Sequence, residues 1–444
     1  MRQYPEVDAA FALQQIEGWQ RAEHKLPELA AIEGWLWPKR LSLEQCSSQV
    51  TALYKRAVLE KWTMENGQLT IGGCLVDLTG GLGVDTYYLS EGFREVHYVE
   101  RNKELCELAE KNFALAGKKI AVHHQEAEEF LEEWNEAHGT HGANGANGAN
   151  GTHEANETDE TTIFVDPARR DAHGGKVFRL EDCEPNVVAH LSILRACARR
   201  VMLKLSPMLD ITAAVRSLGG AAEVHVVAVR NEVKEVLVLL ESGRDSMDPE
   251  ITCVNLETEE EALRFRRSEE EGRGMMEEGR CKANGTNETN GTNGTHGTNE
   301  VNESNEIILV EPNAAIMKAG AFRIFGERFG LQKLGVNSQL YVAEGVRSCT
   351  QESCEGVAKI YGYFCGASGF SKSLPGRVFC AKIATKEELK NLDQANVICR
   401  NYPLSPDALK KKLRVRDGGE KYVIATKIGT KPVIFLGYRQ FLHT

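Results

Sequence analysis

No apolar run in this sequence approaches the roughly 18 to 20 residues that cross a bilayer. Its opening, MRQYPEVDAAFALQ, lacks the basic-then-apolar order of a secretory signal. A cytoplasmic protein is expected. The 12 cysteines lack both the paired spacing of a zinc site and the density of a disulfide scaffold. Cys74, Cys106, Cys197 and Cys380 sit in apolar contexts and read as reduced core residues. The nearest approach to a cluster is Cys349, Cys354 and Cys365, and no metal is expected. A formal net charge of −11 argues against a simple polyanion binder, but residues 399–444 carry ten Lys/Arg against three Asp/Glu. Only this tail reads as a surface for an acidic partner.

Two stretches hold almost nothing that could be buried. HGTHGANGANGANGTHEANETDE (138–160) and NGTNETNGTNGTHGTNEVNESNE (284–306) repeat an Asn-Gly-Ala/Thr beat, which predicts disordered, expanded loops. Around them the 444-residue chain divides into several parts. Residues 1–68 read as an N-terminal helical segment, with helical apolar spacing in VDAAFALQQIEGWQ and CSSQVTALYKRAVLEKW. Residues 69–245 alternate strand and helix: CLVDL, EVHYVE, IAVHH, TIFVDP and RVMLKLSP are five strand candidates, and NKELCELAEKNFALAG is a helix ending on Gly117. EVHVVAVRNEVKEVLVLLE then reads as a hairpin. The expected fold is α/β, a Rossmann-like parallel sheet closed by an antiparallel hairpin, with the 138–160 repeat as an insert. Residues 246–306 read as an acidic linker and low-complexity segment, and a smaller α+β region begins at Ile307.

The first strand runs into CLVDLTGGLGVDTYYLSEG, with glycines at 80, 81 and 83. A glycine turn beyond the carboxyl end of a parallel strand lets a ligand approach the backbone at a helix N-terminus. The same turn can also serve only to pack a helix close to its strand. A dinucleotide turn needs a third glycine at position 86, where the chain has Thr86, and its pyrophosphate would meet Asp85. S-adenosylmethionine presents an ammonium and a sulfonium instead, which Asp77 and Asp85 suit. Glu100, ending the second strand, can accept both ribose hydroxyls, as NAD enzymes also allow. Gln125-Glu126-Ala127 after the third strand could read the adenine amino group. The closing hairpin is typical of methyltransferases and unusual in a dinucleotide domain.

VDLTGGLGVDT, YVERN, VDPARRD and LKLSPMLD together resemble the class I S-adenosylmethionine-dependent methyltransferases. SSQVTALYKRA, EPNAAIMKAGAF and RNYPLSPDALKKKLRVRDGGEKYVIAT are similar to the bacterial subgroup with C-terminal ferredoxin-like and THUMP-like domains. The resemblance implies a ferredoxin-like segment over 307–365 and a THUMP-like domain over 366–444. It implies a cofactor site of Asp77, Thr79, Gly80, Gly81, Gly83, Asp85, Glu100, Arg101, Glu126 and Ala127. It also implies an RNA substrate, tRNA or rRNA, because THUMP domains present RNA to attached modifying domains.

Asp166-Pro167 ends the fourth strand, where amino-methylating relatives carry Asp/Asn-Pro-Pro-aromatic. This chain has Ala168 and Arg169 in the last two places, so the stacking aromatic is missing. Arg169 and Arg170 can still stack on a base or grip a phosphate. Lys204-Leu205-Ser206-Pro207 follows the fifth strand without the cysteine that a covalent pyrimidine C5 mechanism needs, so direct displacement at nitrogen or oxygen is expected. Asp166, Pro167 and Arg169 are the catalytic candidates. Arg170, Lys204, Lys410, Lys411, Lys412, Arg414 and Arg416 are the RNA-binding candidates. The rival readings are a non-catalytic RNA-binding protein that keeps the fold, a small-molecule or protein methyltransferase and, more distantly, a NAD-dependent oxidoreductase.

Overall fold

The computed structural model describes residues 8–38, 40–62, 64–65, 68–69, 73–138, 161–169, 179–272, 307–335, 337–343 and 374–440. The two repeats lie outside them except for His138, as do Arg170, Asp171, Cys349, Cys354, Cys365 and the side chain of Arg169. The chain divides into two compact units, Met1–Val227 with Lys234–Pro249 and Ala228–Val233 with Glu250–Thr444.

In the first unit, helices α1 (Ala9–Lys25) and α2 (Gln49–Trp62) precede an alternating series. It runs β1 (Cys74–Asp77), α3 (Val84–Leu89), β2 (Glu95–Glu100), α4 (Lys103–Leu115), β3 (Ala121–His124), α5 (Ala127–His138) and β4 (Thr161–Val165). It continues through α6 (Leu191–Cys197), β5 (Arg200–Leu205), α7 (Ile211–Ser217), β6 (Glu223–Val229) and β7 (Glu232–Glu241). The sheet order is β3-β2-β1-β4-β5-β7-β6, parallel through β5. β7 then runs antiparallel to β5, Val236 facing Leu205. β1 and β4 are buried along their whole lengths, as central parallel strands covered on both faces must be. Arg230 and Asn231, both at positive φ, make the two-residue turn between β6 and β7. The chain leaves β1 toward β2 on one side and returns to β4 on the other, so a crevice opens between the carboxyl ends of β1 and β4.

The N-terminal helices do not stand apart as a separate segment. Leu26, Leu29, Trp37 and Ala52 share one core with Leu82, Val84 and Tyr88, from the glycine turn and α3. The reason is the apolar stripe of α2, on which Thr51, Ala52, Lys55, Val58, Leu59 and Trp62 are buried. One member of that stripe is a lysine.

In the second unit, the stretch expected as an acidic linker opens with β8 (Glu250–Leu256) and β9 (Leu263–Arg266), paired antiparallel. Leu263 and Phe265 are buried while Arg264 and Arg266 are exposed, an alternation that outweighs the glutamates crowded into the intervening turn. Helix α8 (Arg267–Gly272), β10 (Ile307–Pro312), α9 (Ala314–Ala319), α10 (Phe322–Arg328), β11 (Leu331–Lys333) and β12 (Tyr341–Ala343) follow. The series ends with β13 (Gly376–Ile383), α11 (Lys386–Lys390), β14 (Asn396–Cys399), α12 (Pro406–Leu413), β15 (Lys421–Ile428) and β16 (Lys431–Gln440). Strands β10 to β16 form one seven-stranded sheet, ordered β11-β12-β10-β13-β16-β15-β14. β10 pairs with β13 from Ile307–Ala381 to Pro312–Gly376, so the boundary drawn at 365/366 falls between strands of a single sheet. Glu311 on β10 is fully buried and held by the guanidinium groups of Arg377 and Arg400.

Candidate active site

The turn after β1 is built from glycines with different duties. A Cβ on Gly80 would come within 2.1 Å of the Tyr98 ring, and one on Gly83 within 2.7 Å of the Phe113 ring. Both therefore serve the packing of β2 and α4 against the turn. Gly81, at φ +56°, differs: a Cβ there would meet nothing nearer than Thr79 O at 3.8 Å. Open space lies over its backbone. The Gly81 N–H donates to Glu100 Oε2 at 2.9 Å, and its carbonyl accepts from Tyr98 Oη at 2.6 Å. Glu100 Oε1 accepts from the Asn102 N–H at 2.8 Å. Each carboxylate oxygen has a second lone-pair site, so Glu100 can still accept from two hydroxyls. Beyond it, Arg101 Nη1 lies 3.4 Å from Glu184 and 4.0 Å from Glu126. Ala127 lines a small cleft with Leu78, Leu131, Val165, Val187 and Leu194.

Asp77 is turned inward. It is 1% exposed; Oδ1 accepts from the Thr79 N–H at 3.0 Å and Oδ2 from Thr86 Oγ1 at 2.5 Å. Burial pushes its carboxyl up to about 7, against hydrogen bonds from Thr86 and Thr79 that pull it down. Asp85, also expected to meet a cofactor cation, is buried as well. Ser47 Oγ donates to its Oδ2 at 2.7 Å, and Lys55 Nζ stands 3.2 Å from its Oδ1. Burial opposes its charge, yet the Lys55 and Lys204 ammonium groups hold the carboxyl below the usual range. Lys55, fully buried, donates to Glu235 Oε1 and Oε2 at 2.8 and 3.0 Å and to Ser47 Oγ at 3.1 Å.

At the end of β4, the Asp166 N–H donates to Thr79 Oγ1 at 2.7 Å, which ties that strand end to the glycine turn. Lys204 Nζ, from β5, donates to Asp166 Oδ2 at 2.5 Å and lies 3.7 Å from Asp85 Oδ2. Burial works against the lysine charge, but the Asp166 and Asp85 carboxylates push its pKa above the ordinary lysine range. Lys204 is thus paired inside the first unit rather than presented to phosphates. After Pro167, Ala168–Arg169 pairs as a short strand with Cys183–Glu184.

A ferredoxin-like domain model matches residues 309–348, and a THUMP domain-like model matches residues 380–439. The crystal structure of a "putative methyltransferase" from Porphyromonas gingivalis W83 is similar at 30% identity and a TM-score of 0.69, over 97% of this chain and 90% of that one. The chain belongs to the class I S-adenosylmethionine-dependent methyltransferases, in the group with C-terminal ferredoxin-like and THUMP-like domains. The crystal structure of a "SAM Dependent Methyltransferase" from Agrobacterium tumefaciens also matches, at 16% identity and a TM-score of 0.29, over 43% of this chain and 61% of that one. No curated protein matches the sequence.

In this methyltransferase the structure brings together Thr79, Gly81, Glu100, Asp166 and Lys204, with Arg101, Glu126 and Ala127 at the far side of Glu100. The tail cations belong to the second unit: Lys410, Lys411 and Lys412 on α12, then Arg414 and Arg416. Lys410 Nζ is held by Asp417 at 2.8 Å, while Lys411, Lys412, Arg414 and Arg416 are exposed. Sequence reasoning missed Lys55, Ser47, Glu235 and Thr86. The available signal was Lys55 itself, a charged residue at helical spacing between Ala52 and Leu59 on an otherwise apolar stripe.

Among the described residues, one group combines metal-type donors: Cys74, Glu95 and His97, on β1 and β2. His97 Nε2 is 2.9 Å from Glu95 and Nδ1 is 2.9 Å from His123, so both imidazole nitrogens already have partners. Among the described residues no helix is long and apolar enough to cross a membrane.

Proposed function

We propose that the protein methylates a nitrogen or oxygen of an RNA nucleotide in tRNA or rRNA, in the cytoplasm, by direct displacement. The observation that carries the reading is the Asp166 N–H to Thr79 hydrogen bond, which sets a partly exposed carboxylate beside the glycine turn. The residues fit the cofactor: the open face of Gly81 accommodates a ligand against the backbone, and Glu100 has lone pairs left for ribose hydroxyls. Arg101, Glu126 and Ala127 would flank the adenine. Asp77, Gly80, Gly83 and Asp85 act behind them, as supports of the turn. When bound, S-adenosylmethionine supplies an electrophilic methyl group on a sulfonium. Asp166 orients the nucleophile and accepts its proton, and alignment supplies much of the rate. Pro167 fixes the backbone next to that carboxylate, and Arg169 and Arg170, next to it in the sequence, are assigned to the substrate.

RNA as the substrate rests on the THUMP-like match over 380–439 and on the exposed cations that lie within it. The test is mass spectrometry of RNA nucleosides from cells with and without the gene, followed by incubation of the deficient RNA with protein and S-adenosylmethionine. A methylated nucleoside that disappears with the gene and returns with the protein supports the reading. Transfer to proteins or small molecules, with RNA unchanged, rejects it.

A further inference from the structure

Five charged groups alternate in sign through the first unit. Glu235 faces Lys55 at 2.8 Å, Lys55 faces Asp85 at 3.2 Å, Asp85 faces Lys204 at 3.7 Å, and Lys204 faces Asp166 at 2.5 Å. Only the last carboxylate is appreciably open, with 38% of its side chain exposed, against 0 to 12% for the other four. The row begins on β7 and the N-terminal helix α2 and ends at the mouth of the crevice between β1 and β4.

Asp85 is shared by two lysines. Its Oδ1 makes no hydrogen bond among the described residues and depends on the Lys55 charge for compensation. With Asp85 so neutralised, Lys204 takes the short contact with Asp166 rather than the longer one with Asp85. Remove Lys55, and the nearest cation left to the buried Asp85 carboxylate is Lys204, which must leave Asp166 to compensate it.

We propose that Lys55 is a positioning residue for methyl transfer, which by pairing with Asp85 keeps the Lys204 ammonium on Asp166. Lys204 in turn fixes the Asp166 carboxylate through Oδ2, leaving Oδ1 for the substrate. The N-terminal helix therefore completes the methyl-transfer site electrostatically without touching substrate. This rests on the methyltransferase reading of Asp166.

Lys55→Met alone could unfold the chain by leaving Glu235 unpaired. Lys55→Met/Glu235→Leu replaces the whole buried pair with apolar groups, a change that proteins commonly tolerate. The full-length double variant is expected to melt near the wild type and to bind S-adenosylmethionine with unchanged Kd in calorimetry. Its kcat on total RNA should fall by about 10²-fold, the scale of an ångström-sized misplacement of a reacting group. An unchanged kcat overturns the proposal. So does a parallel loss of folding, cofactor affinity and kcat, which would make Lys55 structural. A crystal structure of the double variant tests the same point without an assay: Lys204 should have left Asp166 for Asp85. If the Asp166–Lys204 pair is unmoved, the proposal fails even where the wild type methylates RNA. If the wild type transfers no methyl group but Lys204 moves, the positioning stands and the functional reading falls.

Discussion

Lys204 Nζ donates to Asp166 Oδ2 across 2.5 Å, joining the ends of two neighbouring parallel strands at the crevice where the strand order reverses. A lysine expected beside RNA is instead the partner of the candidate catalytic carboxylate. Asp166→Asn keeps the side-chain shape and removes the charge. Its cofactor Kd should match the wild type, while methyl transfer falls by about 10²-fold. Calorimetry together with a radiolabel transfer assay separates the two effects. Loss of cofactor binding would move Asp166 to the cofactor side of the site.

The three glycines of the turn should respond differently to added side chains. Gly80→Ala places a methyl group against the Tyr98 ring, and Gly83→Ala places one against the Phe113 ring at φ +79°. Each should lose about 1 to 3 kcal/mol of stability, as overpacking does. Gly81→Ala has room for its methyl group and should lose about 1 kcal/mol, from left-handed backbone alone. Its distinctive loss should be cofactor affinity, because the methyl group enters the space a ligand would occupy. Denaturant melts and cofactor titrations on the three variants check this ranking. Equal affinity in Gly81→Ala and wild type would show that the open face is not the cofactor face.

Much of the site was legible in the chain because it is local. CLVDL, EVHYVE and TIFVDP are short apolar runs that stop at an acidic residue and a turn, and the structure ends β1, β2 and β4 at or next to Asp77, Glu100 and Asp166. What sequence could not supply was the partner of each carboxylate. Asp77 and Asp85 look like cation ligands until Thr86, Ser47 and Lys55 are seen beside them, and Lys55 meets Glu235 across 180 residues. The same limit hid the single C-terminal sheet, whose β10–β13 pairing joins segments about seventy residues apart. Residues 250–266 form strands but read as a linker for a different reason. The net acidity of the stretch masks the alternation of buried Leu263 and Phe265 with exposed Arg264 and Arg266.

Asp77 gives the protein a predictable pH dependence. Its carboxyl is pushed up to about 7 in the folded state, against about 3.9 in an unfolded chain. Between those values the folded state keeps a proton that the unfolded state has lost. Asp77 therefore contributes stability that is full below about pH 4 and declines as pH rises toward 7. Asp77→Asn, which mimics the protonated acid, should flatten that part of the melting-temperature profile. An identical slope in both proteins between pH 4 and 7 would mean that Asp77 is ionised throughout.

The basic face of the second unit can be tested by salt. Lys411, Lys412, Arg414 and Arg416 are exposed, whereas Lys410 is held by Asp417 at 2.8 Å. Contacts to phosphate release counterions, so RNA affinity should fall with salt by roughly 0.7 to 0.9 log units per contact per log unit of salt. Replacing Lys411, Lys412, Arg414 and Arg416 with glutamine should reduce that slope by about 3 and weaken many RNAs alike, since phosphate contacts position without reading sequence. Lys410→Gln should change the slope little and instead release Asp417, because its ammonium already has a carboxylate partner. Filter binding at several salt concentrations measures both. A slope unchanged in the fourfold variant would leave these cations as solvated surface and shift RNA binding to the arginines that follow Pro167.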